Sequence, residues 1–344
     1  MNPKLLLQRY VSFLFVALLV SSGYIGYHHQ KEYPRTLSLQ FNRGINDEHL
    51  RALEKAKPDI VLIGDSTLHY GVDAAQFSEE ININSYALAV PGSATAAWYL
   101  VMKNIILESP KRPSHVIILF RDTMLTTPYF RTTGRYFELL DDYAQRNEPV
   151  LTELIYKNQM NPVERLLEQY LPLYSARWDV REEIDDLLRH RIPSIIFGCT
   201  HECSQQAIAS VLGREVDMVA FNQMVNDSGE GLYSPEAMNF DKQVGGSFLP
   251  VLIDLAHQND LILVFIRTRT LNFPTAASEP LELRKYMKSL HSYLAQYPDV
   301  YLIDLSQDTR LNDSLFIDSL HLNARGQEEF TSILAEEFAS RFVK

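Results

Sequence analysis

The sequence predicts an α/β protein in which a five-stranded parallel sheet is covered by helices on both faces, a three-layer α/β/α arrangement with a helical insertion. Two observations lead there. Apolar runs such as "DIVLIGD" (residues 59–65) and "LILVFIRT" (residues 261–268) lack the alternation of a one-sided strand, as expected where both faces are covered. Segments with apolar residues at helical spacing separate such runs, the rhythm of crossover connections in a parallel sheet.

Each element follows in order. Residues 28–57 are mixed and polar and read as a stalk. Residues 59–65 form the first strand, "AAQFSEE" a short helix and residues 83–90 the second strand. Residues 93–109 have helical spacing and stop before Pro110; Trp98 within them is a core residue. Residues 114–120 make the third strand. Residues 126–247 then carry amphipathic segments, "PVERLLEQYLPLY" and "VREEIDDLLRHR", and no convincing buried strand. That stretch is too long for a simple loop and reads as a helical cap or partner-binding surface. "FLPVLIDLAHQ" resumes the alternation, followed by the fourth strand (261–268), the helix "LELRKYMKSLHSYLAQY", the fifth strand (300–306) and the closing helix "ARGQEEFTSILAEEFASRFV". The sheet domain is therefore expected in two halves, residues 58–125 and 248–344.

The chain has 344 residues, 46% of them hydrophobic, and a formal net charge of -11. This composition belongs to a globular protein with a substantial core. An acidic chain without a Lys/Arg-rich run lacks the surface that binds nucleic acid. The N-terminus differs in kind. From Tyr10 to Tyr27 there is no charge, about the length of a membrane-spanning helix, with Tyr10, Tyr24 and Tyr27 at its ends. Residues 1–27 are thus expected to anchor the chain, with residues 5–27 in the bilayer. Lys4 and Arg9 orient the N-terminus toward the cytoplasm. A cleaved signal peptide, cut near Ser22 and Gly23, is the competing reading; either way the remaining chain lies outside the cytoplasm. Cys199 and Cys203 are then a candidate disulfide, with unpaired thiols as the alternative. With His201 they lack an obvious fourth ligand for a metal. No metal or other cofactor is called for.

The first strand ends at Gly64-Asp65-Ser66. In a parallel sheet the ligand sits outside the carboxyl ends of the strands, which is where Ser66 falls. A serine hydroxyl needs a base to take its proton, and the base needs a group to hold it. "FIDSLHLNARG" supplies the pair: Asp318 and His321 lie between the last strand and the last helix, again at the carboxyl edge. Asp65 is expected to brace the turn. His69, one turn after Ser66, is a weaker rival base because so short a spacing seldom aims both groups at one substrate.

Together "GDS", "AVPGSAT" and "DSLH" resemble the sequence blocks of the SGNH (GDSL-type) hydrolase superfamily, over about residues 58–123 and 248–344. The resemblance implies a flavodoxin-like sheet, with Ser66 as nucleophile, His321 as general base and Asp318 as its orienting partner. It implies that the backbone N–H groups of Ser66 and Gly92 bind the oxyanion. The third block departs. Where the family carries Gly-x-Asn-Asp, this chain has Phe120-Arg121-Asp122-Thr123. An ionised Asp122 cannot donate to an oxyanion. Arg121 could replace the missing donor, with Asp122 holding it in place.

One span, a stalk and an extracytoplasmic serine domain resemble the layout of anchored bacterial envelope proteins of alginate acetylation and teichoic-acid D-alanylation. This implies a single-pass protein of the bacterial inner membrane that moves or removes an ester-linked, acetyl-like group on an envelope glycan through an acyl-Ser66 intermediate. It further implies a multispanning membrane acyltransferase as partner. The rival from another class is a catalytically inactive binding or scaffold protein on the same fold.

Overall fold

The structure, a computed structural model, describes residues 3–28, 32–177, 180, 187, 191 and 230–343. In chain order the principal elements are α1 (Pro3–His28), α2 (Glu48–Ala56), β1 (Ile60–Gly64), α3 (Ser66–Gly71), α4 (Ala74–Ile81), β2 (Ser85–Ala89) and α5 (Thr95–Val101). There follow β3 (His115–Phe120), α6 (Arg135–Asp141), α7 (Pro162–Tyr170), α8 (Pro172–Ser175), α9 (Phe248–His257), β4 (Ile262–Arg267), α10 (Leu281–Leu294), β5 (Val300–Asp304) and α11 (Ala324–Phe342). The candidate disulfide, Cys199 with Cys203, lies outside the described residues.

Residues 39–155 and 229–344 form one compact unit. Its sheet has the order β2-β1-β3-β4-β5, with every neighbouring pair parallel. This is the expected flavodoxin-like order. The order reverses at β1, and the crevice beyond the carboxyl ends of β1 and β3 is the place such sheets use for ligands. The strands sort their side chains by the period of two. Val61, Ile63, Val116 and Ile118 join Trp98, Phe248 and Tyr286 on one face. Ile60, Leu62, Ile117 and Leu119 join Phe77, Phe330 and Phe338 on the other.

Two regions differ from the sequence expectation. The stretch read as a stalk contains α2, and Phe41 and Leu53 are buried in the sheet's core. Parts of the expected insertion also belong to that core: Phe130, Leu140, Tyr143 and Leu151 pack in it. Leu140 and Leu151 sit in short helices and Phe130 and Tyr143 in turns, segments with too few apolar turns of helix to announce themselves from the sequence.

The second unit comprises Met1–Ser38 and Tyr156–Ser228. Among the described residues α1 is the one helix long and apolar enough to cross a membrane, over Gln8–His28 with mean hydropathy 1.6. Pro172, at the start of α8, lies against Gly26 of α1. α7 opens with Pro162 and a capping box: the Asn161 side chain accepts from Val163 N and Glu164 N, and Glu164 accepts from Asn161 N. Tyr33 Oη and Ser175 Oγ are 2.7 Å apart, and Arg35 N donates to Gln169 O at 2.8 Å.

Candidate active site

β1 delivers the chain to a turn too tight for a side chain. A Cβ on Gly64 would stand 2.7 Å from Leu68 Cβ. Asp65 then caps α3: its Oδ1 accepts from Thr67 N and from Thr67 Oγ1, each at 2.8 Å. Ser66 is thereby the first residue of a helix, half-buried, at the carboxyl edge of the sheet.

The loop before α11 is fixed as firmly. Asn323 caps α11 through Gly326 N, and Asn323 N donates to Leu315 O at 2.9 Å. A Cβ on Gly326 would collide with Leu315 O. Ile317 N donates to His321 O at 2.8 Å, closing the loop. Within it Asp318 Oδ1 accepts from Leu320 N and His321 N at 2.8 and 2.9 Å. Its Oδ2 stands 2.8 Å from His321 Nδ1, and His321 Nε2 stands 2.8 Å from Ser66 Oγ. Burial pushes the Asp318 carboxyl up, but the hydrogen bonds from His321 and the two N–H groups outweigh it and hold the carboxyl below its ordinary value. The Asp318 bond gives His321 the tautomer in which Nε2 accepts from Ser66. His69 takes no part in this chain of bonds; its ring lies edge-on to Tyr70, whose own ring is 5.0 Å from that of His321.

Gly92 is brought to the same edge by bonds from its segment to β1. Val90 N donates to Gly64 O at 2.9 Å, Ser93 Oγ donates to Gly64 O at 3.3 Å, and Trp98 Nε1 donates to Ser93 Oγ at 2.9 Å. Gly92 has φ +81°, and a Cβ there would press on the Tyr136 ring at 3.2 Å. Among the described residues neither the Ser66 N–H nor the Gly92 N–H is spent on an acceptor.

Arg131 was not singled out from the sequence. Its side chain is 6% exposed, and Nη1 donates to Asp65 Oδ2 at 3.1 Å and to Ser93 O at 3.4 Å. Its guanidinium lies over the rings of Phe130 and Tyr136, at 5.1 and 5.6 Å from their centroids. The signal that could have found it is Asp65 itself, since a carboxylate buried behind a nucleophile needs a cation.

No family model and no curated protein matches this chain. Solved structures do align with it. An acylhydrolase from Bacteroides fragilis has 11% identity and a TM-score of 0.42, covering 86% of this chain and 95% of its own. A lipolytic protein of the G-D-S-L family from Desulfitobacterium hafniense has 10% identity and a TM-score of 0.34, covering 80% and 97%. A family two carbohydrate esterase from Clostridium thermocellum, in complex with cellohexaose, has 11% identity and a TM-score of 0.36, covering 83% and 65%. At these identities and scores the likeness bears no weight for activity. The α/β class rests on the sheet described above.

The third block turns out differently from the expected Arg121–Asp122 pair. Asp122, at φ +48°, points its carboxylate elsewhere: Oδ1 accepts from Arg267 Nη2 at 2.9 Å and Oδ2 from Tyr233 Oη at 2.6 Å. Arg267 also binds Glu279 and, at 3.3 Å, Asp304. Burial opposes its charge, but the carboxylates of Asp122, Asp304 and Glu279 raise its pKa above the ordinary value. Burial and the Asp122 charge push the Tyr233 hydroxyl far up. Asp122 therefore does not hold Arg121. Arg121 is 2% exposed, and its Nε and Nη2 hydrogens find no acceptor among the described residues. Ile63 of β1 is in register with Ile118 of β3; counting three residues on from each gives Ser66 and Arg121.

Proposed function

We propose that the chain is an SGNH-type serine esterase or O-acyltransferase, anchored by α1 in the bacterial inner membrane and acting outside the cytoplasm. Its substrate is an ester-linked acyl group on an envelope glycan. The observation that carries the reading is the unbroken chain Ser66 Oγ–His321–Asp318, with both bonds at 2.8 Å. The N–H groups of Ser66 and Gly92 find no acceptor among the described residues.

The steps follow from the geometry. His321 Nε2 takes the Ser66 hydroxyl proton as Oγ attacks the acyl carbonyl. The carbonyl oxygen becomes an oxyanion, held by the N–H groups of Ser66 and Gly92, with Arg121 as third donor. One such donor is worth about 2.7–4 kcal/mol at the transition state. The C–O bond to the leaving alcohol breaks, and that alcohol takes the proton from His321. Acyl-Ser66 remains. A sugar hydroxyl or water then attacks it, passing its proton to His321; the acyl–Oγ bond breaks, the new ester or free acid leaves, and Ser66 Oγ takes the proton back from His321. Asp318 keeps the imidazole oriented and stabilises its charged form. A multispanning acyltransferase is the partner that would load Ser66 in the transferase version; the span followed by an extracytoplasmic domain supports that layout.

The test is fluorophosphonate labelling of the wild type against Ser66→Ala and His321→Ala. Labelling lost in both variants is expected. A folded wild type that does not label would sink the enzymatic reading in favour of a binding protein on the same fold, which the loss of a donor at Asp122 would then explain. A sugar acceptor that speeds loss of the acyl group beyond its rate in water identifies a transferase.

A further inference from the structure

We propose that the exposed face of α7 rests on the lipid surface as an interfacial helix beside the span; this builds on the anchor reading above. α7 is inside out for a helix in water. Its Glu168 is 3% exposed and is bound by Arg35, Arg177 and Tyr156. Its Val163, Leu166 and Tyr170 are 63%, 58% and 58% exposed. These three stand at intervals of three and four residues, so they share one face. Single exposed apolar side chains are ordinary; a stripe of them opposite a buried carboxylate marks a contact surface.

The position of α7 selects the occupant. α7 leads within two residues to Pro172 of α8, and Pro172 lies against Gly26 in the last turn of the span. Ser22 and Ile25 of α1 are buried, whereas Tyr24 and Tyr27 are exposed. At 1.5 Å per residue, Ser22 sits about 9 Å inside the His28 end of the helix. The corner between α7 and α8 is therefore at the depth where a span leaves the hydrocarbon. An interfacial helix sinks its apolar face about 5–10 Å into that boundary. Tyr170, ending the stripe, is a residue type that favours it. The polar side of α7 is already committed inward: Arg165 donates to Lys157 O and Met160 O, and Glu168 is paired.

The test uses the full chain with a dansyl amino acid incorporated at Leu166. Leu14 in the span serves as the comparison position, and each protein in nitroxide-free discs gives the unquenched emission. Each protein is placed alone in phosphatidylcholine–phosphatidylglycerol nanodiscs containing a lipid nitroxide-labelled near the headgroup. The Leu166 and Leu14 probes should lose emission by about twofold or more relative to discs without nitroxide. If Leu14 is quenched but Leu166 emits as in water, α7 stands off the membrane and the proposal is wrong while the anchor survives. A Leu166 probe that is dry yet unquenched means protein covers the stripe, this chain's own or a second copy's, and also overturns it. Quenching at neither position sinks the anchor reading and this proposal together.

Discussion

One oxygen of Asp65 caps the helix that starts at Ser66, and the other is held by Arg131. Removing one partner of a buried ion pair leaves the other charge uncompensated and costs about 3–5 kcal/mol. Arg131→Gln should lower stability by roughly that amount in urea unfolding, and adding Asp65→Asn should restore part of it, because the two sites are coupled. An Arg131→Gln protein as stable as wild type would remove the pair from the account. Asp318 makes a gentler claim, since it is half-exposed and screened. Its folded pKa lies below the ordinary 3.8, so its bonds stabilise the fold above that value and are lost as pH falls through the depressed one. Unfolding measured down a pH series should show a shallower acid decline for Asp318→Asn than for wild type. Ser66, Asp318 and His321 were legible because each sits in a short motif at a predictable sheet edge. Arg131 was not, because its partner lies 66 residues away and only the folded chain joins them. Arg121 and Asp122 were misread as a pair for the opposite reason. They adjoin in sequence, but the positive φ at Asp122 turns its carboxylate toward β4.

At the scale of elements, β1, β3 and β4 were legible because burial on both faces leaves an apolar run, whereas the edge strands β2 and β5 are only partly buried and were placed by the rhythm of the helices between them. The helix α2 was hidden because nine residues bury little more than Leu53. Where the connections are short, glycine decides what the elements can present. Gly92 has a left-handed backbone, and Tyr136 of α6 closes the space a side chain would need. Gly92→Ala would cost about 1–2 kcal/mol in backbone strain alone and would shift the residue's N–H. Fluorophosphonate labelling should slow by about tenfold, which corresponds to about 1.4 kcal/mol at the transition state. Unchanged labelling in the folded variant would mean that the oxyanion does not use this donor.

At the scale of the molecule, the sheet unit is assembled from two separated stretches of chain, and the candidate site needs both. Ser66 and His321 are 255 residues apart in sequence. Synthesis runs from the N-terminus, so Ser66 is made long before His321. Until β5, the Asp318 loop and α11 have been made and folded, Ser66 Oγ lacks the hydrogen bond to His321 Nε2. A partly made chain therefore holds the serine without the base proposed for it. The pairing on which the proposed reactivity depends is thus completed only by the second stretch of the sheet unit.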